Sequence, residues 1–146
     1  MAISSYLVFA LLAGAMLPIQ FGINAQLATW VGGSIRAAFV SFVVGAAALL
    51  VAVLVAQRGL PDRAGDAPWW VWIGGILGAF YVLGSIVTAP KLGAATLVAL
   101  ILAGQAIASL LIDHYGWVGF EENPITPLRV AGVVLLAGGV ALVRLS

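Results

Sequence analysis

The sequence contains no cysteine and very few charged residues. Of its 146 residues, 8% are charged and 64% are hydrophobic, whereas a soluble domain carries about 25% charged residues. Without cysteine, the chain can form neither a disulfide framework nor a thiolate metal site. A formal net charge of +1 argues against nucleic acid as a partner. A water-exposed surface cannot be built from this composition, so the sequence predicts an all-α integral membrane protein in contact with the lipid bilayer.

Groups that carry out catalysis are equally scarce. The chain has one histidine, and no apolar block contains a pair of carboxylates. No nucleophile and base can therefore be paired within the membrane, and we expect neither an enzyme nor a bound cofactor or metal. The first five residues carry no positively charged side chain, so we also expect no cleaved signal peptide.

Five apolar blocks follow one another along the chain, and a spanning helix needs about 20 mostly apolar residues. The blocks predict one transmembrane domain over residues 1–146, with helices over about 3–30, 34–56, 69–89, 93–112 and 127–143. Thr126 and Pro127 provide an N-cap and a proline at the first position of the fifth helix. Buried helices of a soluble protein are the alternative, but no block has a polar face long enough to meet water.

The positive charges of the loops are balanced between the two sides of the predicted membrane domain. With five spans, the N-terminal side holds Arg58, Arg63 and Arg129, and the other side holds Arg36, Lys91 and Arg144. Orientation normally follows an excess of Lys and Arg in cytoplasmic loops. Because neither side has an excess, we expect insertion in both orientations and an antiparallel homodimer. In the alternative interpretation, the terminal amine and folding partners set a single orientation.

Small residues share one face of the fifth block. Gly132 and Gly139 are one heptad apart, with Leu135 between them. Glycines on one face allow another helix backbone to approach closely, so this face is the predicted dimer interface. Gly74 and Gly78 form a comparable GxxxG step in the third block, although either motif alone is weakly specific.

The order of several motifs along nearly the whole chain resembles one known family. They are Pro18-x-Gln20-x-x-x-Asn24-x-x-Leu27, Trp72-x-Gly74-Gly75-x-x-Gly78-x-x-Tyr81, Pro90-x-x-Gly93-Ala94-Ala95, Gly104-Gln105, Asp113-His114-x-Gly116 and Gly132-x-x-Leu135-Leu136-x-x-Gly139-Val140. Together they resemble the YdcZ-type family of the drug/metabolite transporter superfamily. The resemblance implies a multi-pass protein of the bacterial inner membrane that transports a small-molecule substrate.

The resemblance also bears on assembly and mechanism. Larger members of the superfamily resemble two five-helix halves of opposite orientation, so this chain resembles one half. A ten-helix inverted-repeat assembly formed by an antiparallel homodimer is implied, and the loop charges favour it independently. The small multidrug transporters of the superfamily carry a glutamate in the first helix. Since the first block here has no carboxylate, their proton-exchange mechanism is not carried over.

Polar amides interrupt the first block. Gln20 and Asn24 are four residues apart and share a helix face, while Pro18 cannot donate a backbone hydrogen bond and disturbs the carbonyl near Gly14. In one interpretation Gln20, Asn24 and Gln105 bond across helices and hold the bundle together, at roughly 1 kcal/mol each. In the other, Gln20, Asn24 and Pro18 line a substrate site, since polar residues inside membranes tend to mark such pathways.

Other polar residues are candidates for the same site or for its control. Gln105 and Tyr81 are predicted to contact substrate, although Tyr81 could instead reach an interface. The hydroxyls of Ser41, Ser85, Thr88 and Thr96 could face the same cavity. Asp113 and His114 close the fourth block and are candidates for a gate, an ion pair or proton coupling, against the simpler interpretation of solvated interfacial groups.

The function best supported by the sequence is secondary transport by a dual-topology homodimer. The neutral lining predicts a neutral, zwitterionic or weakly charged metabolite. Two alternatives stay open at this point. One is a passive channel, which conducts at high rates without saturation. The other is a non-transporting membrane subunit that packs against a partner, for which the glycine faces suffice.

Overall fold

The computed structural model describes residues 3–56 and 64–145, and side chains through residue 143. Within these residues it consists of five α-helices joined by turns and short 3-10 segments. The helices are α1 (Ile3–Val31), α2 (Ser34–Ala56), α3 (Ile73–Leu92), α4 (Ala94–Tyr115) and α5 (Pro127–Leu145). Half of the loop-charge balance depends on positions that the structure does not describe. These are Arg58, Arg63 and the side chain of Arg144.

The five predicted blocks correspond to these helices. By length and composition, four helices in the described part of the chain are able to cross a membrane. They are Ile3–Val31, Ser34–Ala56, Trp69–Leu92 (a 3-10 turn followed by α3) and Ala94–Tyr115. The fifth apolar segment, Pro127–Val143, is shorter. Most large apolar side chains are exposed, for example Leu11, Leu49 and Leu135, and this surface suits lipid rather than water.

Two boundaries show how local residue chemistry shapes the helices. α3 continues past the expected end at Ala89 to Leu92, with Pro90 in its last turn. It stops at Gly93, whose φ of +74° lies in the left-handed region that glycine adopts without steric cost. α5 begins as predicted, because the hydroxyl of Thr126 accepts the N–H of Arg129 at 3.3 Å and Pro127 takes the first helical position.

The chain divides into two compact units, Met1–Lys91 and Leu92–Ser146. In the first unit, α1 and α2 are joined by Gly32 and Gly33, whose φ values are +77° and +143°. Ala37 and Ala38 of α2 pack with Val82 and Ile86 of α3 as its core.

In the second unit, α4 and α5 pack together through an eleven-residue connection. α4 ends at Gly116, with φ at +61°, where an added Cβ would come within 3.3 Å of the Phe120 carbonyl oxygen. Val118, in the following 3-10 turn, has a φ of +59°. A β-branched residue rarely adopts this conformation because of steric clashes. The backbone of the connection is therefore strained at Val118.

Candidate functional site

Among the residues that the structure describes in the first unit, two buried polar groups have no hydrogen-bond partner. Asn24 on α1 is only 3% exposed, and its side-chain Nδ2 is unpartnered. The Tyr81 hydroxyl on α3 is also buried and unpartnered. Leaving a buried donor unsatisfied costs about 1–3 kcal/mol. These two groups are therefore the strongest candidates for contact with a ligand in the described residues.

Phe21 links the two helices that carry these groups. Its ring lies 6.0 Å from the ring of Tyr81, edge to face at 63°, and the residue is 2% exposed. Phe21 precedes Asn24 by three residues, so both lie on one face of α1. Sequence reasoning did not select Phe21, although its three-residue spacing from Asn24 was a usable signal. The Phe21 ring therefore contacts the Tyr81 ring from the same face of α1 that carries Asn24.

Neighbouring hydroxyls on α3 are satisfied by their own helix. Ser85 is as buried as Asn24, at 3% exposed, and donates to the carbonyl of Val82 at 2.7 Å. Thr88 donates to the carbonyl of Gly84 at 2.7 Å. These bonds use the protons of both hydroxyl groups. Ser85 and Thr88 therefore have no free donor, in contrast to Asn24 and Tyr81.

The other predicted substrate contacts are placed differently. Gln20 is exposed and Pro18 is half-buried on α1, which runs without interruption through the proline. Gln105 is exposed on α4, in the second unit. The structure thus packs Tyr81 against Phe21, which lies one turn before Asn24 on the same face of α1. Contact of Gln20 and Gln105 with substrate stays a prediction.

Asp113 and His114 lie in a hydrogen-bonded cluster at the end of α4. The Asp113 carboxylate forms an ion pair with the guanidinium of Arg129, which also donates to the carbonyl of Asn123 at 2.8 Å. His114 accepts the N–H of Ile125 at Nδ1, at 3.3 Å. Sequence reasoning counted Arg129 only as a loop charge and missed Asn123. The cluster holds the start of α5 against the end of α4, while a gating or coupling role stays a prediction.

The predicted interface residues Gly132, Leu135 and Gly139 share a groove of about 380 Å³ between α4 and α5, bordered by Ala99 and Leu102. Outside the adjacent residues and the backbone of α5 itself, no described atom lies within 4 Å of a Cβ built on either glycine, and Leu135 is 76% exposed. The face is therefore open in the single chain.

Among the described residues, no three His, Asp or Glu side chains cluster as metal ligands would.

Comparison with known proteins identifies the family. Residues 5–142 match the family model described as "Putative inner membrane exporter, YdcZ". The Inner membrane protein YdcZ of Escherichia coli (strain K12) is 30% identical over 145 residues, covering 94% of this chain and 93% of that protein. No solved structure matches the chain significantly. The matched family is one of membrane transporters rather than enzymes.

These matches extend over nearly all of the chain, and the apolar helices of the structure agree with them. The chain therefore belongs to the YdcZ family of the drug/metabolite transporter superfamily, and it is a multi-pass protein of the bacterial inner membrane.

Proposed function

We propose that this protein is a secondary transporter that exports a small solute as an antiparallel homodimer, each subunit providing half of a ten-helix assembly. Alternating access exposes the site first to one side of the membrane and then to the other. The substrate is a neutral, zwitterionic or weakly charged metabolite. The family description supports the direction of transport, and the balanced loop charges support the antiparallel arrangement.

The buried and unpartnered Asn24 Nδ2 and Tyr81 hydroxyl, on the two helices that Phe21 links, are the observation that carries this proposal. In a membrane, water cannot compensate an unsatisfied polar group, so such groups are costly unless something in the protein or in a cavity binds them. A bundle whose only task was to pack against a partner gains nothing from this cost. A transporter gains a place where a solute exchanges its hydration shell for protein donors.

Release from proteoliposomes tests the proposal directly. The vesicles are loaded with a defined mixture of sugars, nucleosides and amino acids, and release is followed by mass spectrometry. We expect the wild-type protein to release one or a few components with saturable kinetics and counterflow. Asn24→Leu removes the buried amide and should abolish release. Gln26→Leu is the matched control, because Gln26 carries the same amide on an exposed position of α1.

Each result discriminates between the interpretations. Release that does not saturate and shows no counterflow indicates a channel. A wild-type protein that releases no component contradicts the transport proposal and favours a non-transporting subunit. Full release by Asn24→Leu contradicts the assignment of the site to Asn24.

A further inference from the structure

The helices that carry Asn24 and Tyr81, α1 and α3, contain a single charged side chain, Lys91 near the end of α3. In the described part of the first unit, the charged side chains are Arg36, Asp66 and Lys91. Arg36 is exposed and donates to the carbonyl of Val31 at the end of α1, at 3.3 Å. Lys91 follows Tyr81 by ten residues, about 15 Å along the helix. Asp66 lies in a 3-10 turn outside the long helices.

A charged or zwitterionic ligand would bring at least one charge into this apolar surrounding. Burying a charge is expensive unless an opposite charge and hydrogen bonds compensate it. Asn24 and Tyr81 provide hydrogen bonds but no net charge. The two groups therefore suit a solute that is uncharged where it meets them.

Most of the free hydrogen-bonding positions on the Asn24 Nδ2 and the Tyr81 hydroxyl are donors, although the Tyr81 oxygen can also accept a bond. The Asn24 Nδ2 carries two N–H groups and the Tyr81 hydroxyl carries one O–H, and all belong to unpartnered atoms. Such donors bind an acceptor oxygen, as in a carbonyl, ether or hydroxyl group. The Phe21 and Tyr81 rings, 6.0 Å apart, form an apolar wall beside the donors that suits a ring or a short hydrocarbon.

From these observations we infer that Asn24 and Tyr81 form a donor pair within each subunit, and that this pair selects uncharged solutes with an acceptor oxygen on an apolar or aromatic body. The inference rests on the proposed transport function and narrows its substrate class. It excludes the zwitterionic and weakly charged solutes that the proposed function still includes.

The donor pair has a consequence for the ligand-free protein. Two unsatisfied buried groups lower its stability, and apolar residues of similar shape remove that penalty. We therefore expect Asn24→Leu and Tyr81→Phe each to raise the melting temperature of the purified, ligand-free protein in detergent. Ser85→Ala is the matched control, because Ser85 is equally buried but already bonded to Val82. It should produce no such rise.

Four aromatic probes of similar size then test the substrate class in thermal-shift measurements. Acetophenone is neutral and has an acceptor oxygen, toluene lacks the oxygen, benzoate is an anion and benzylammonium is a cation. We expect acetophenone to raise the melting temperature of the wild type more than that of an Asn24→Leu/Tyr81→Phe double variant. Toluene should shift both proteins equally, and the two ions should shift neither.

The outcomes separate failure of the inference from failure of the proposed function. A lower melting temperature of both single variants overturns the donor pair, because the groups then hold the bundle together. An acetophenone shift that is absent, or equal in wild type and double variant, overturns the substrate class, as does a larger shift with either ion. Vesicle release limited to amino acids also overturns it while leaving transport intact. Absence of any release overturns the transport function itself.

Discussion

The guanidinium of Arg129, in the first turn of α5, forms an ion pair with the carboxylate of Asp113 near the end of α4. The two side chains are 28% and 25% exposed, so solvent only partly screens their attraction. The pair lies where the connection between α4 and α5 begins and ends, and Val118 within that connection has a positive φ. Backbone strain of this kind persists only where surrounding interactions hold it, and the ion pair joins the two helices at either end of this connection.

Breaking the Asp113–Arg129 pair should loosen the α4–α5 hairpin. We expect Asp113→Asn and Arg129→Gln each to destabilise the protein, and the double variant to lose less than the sum of the two. The coupling energy of a partly exposed pair is about 0.5–1 kcal/mol. A double-mutant cycle measured by denaturation in detergent checks this. Additive losses would show that the two charges act independently.

The same variants address the proposed gate. If the pair serves only to hold the hairpin, the swapped variant Asp113→Arg/Arg129→Asp should recover both stability and vesicle release. A swapped variant that recovers stability but not release assigns Asp113 a direct role in coupling or gating.

Gln20 is exposed in the single chain, so its amide contributes little to folding of one subunit. We expect Gln20→Leu to change the free energy of unfolding by less than about 0.5 kcal/mol and to abolish release from vesicles. Met16→Leu, one turn earlier and also exposed, is the control for adding leucine to this face. Unfolding of the Gln20 variant, or full release by it, would identify the amide as a structural contact.

The balanced loop charges predict insertion in both orientations. Ala64→Lys with Gly65→Lys adds two positive charges to the N-terminal side and should drive that side to the cytoplasm. In an antiparallel homodimer, a single orientation should also abolish release. Ala64→Gln with Gly65→Gln is the uncharged control. Labelling of single loop cysteines from one side of the membrane measures orientation, and one orientation in the unaltered protein would contradict the prediction.

The open glycine face of α5 predicts contact with a second copy. Apart from adjacent residues and the backbone of α5 itself, no atom of the described residues lies within 4 Å of a Cβ built on Gly139 or on its neighbour Gly138. Gly139 lines the groove with α4, whereas Gly138 does not. Gly139→Leu should therefore shift the protein from dimer to monomer in detergent or lipid, and Gly138→Leu should have a smaller effect. Equal dimer fractions in crosslinking or light scattering would contradict this interface.

Residue type alone determined much of this protein. Blocks of apolar residues long enough for spanning helices predict membrane helices because a helix satisfies its backbone hydrogen bonds internally. The N-cap at Thr126 was predictable because the chemistry of capping is local. Motif order was enough to identify the family. The end of α3 was less well predicted, because Pro90 is tolerated within a last turn and the backbone leaves the helix only at Gly93.

Only the tertiary structure decided which polar residues have partners. In the sequence, Gln20, Asn24 and Ser85 are similar interruptions of apolar helices. In the structure, Gln20 is exposed, Ser85 bonds to its own helix, and Asn24 is buried without a partner for Nδ2. Likewise, Asp113 and Arg129 meet only because the α4–α5 connection folds back. Helical periodicity specifies which residues share a face, but burial and pairing depend on what a different part of the chain places against that face.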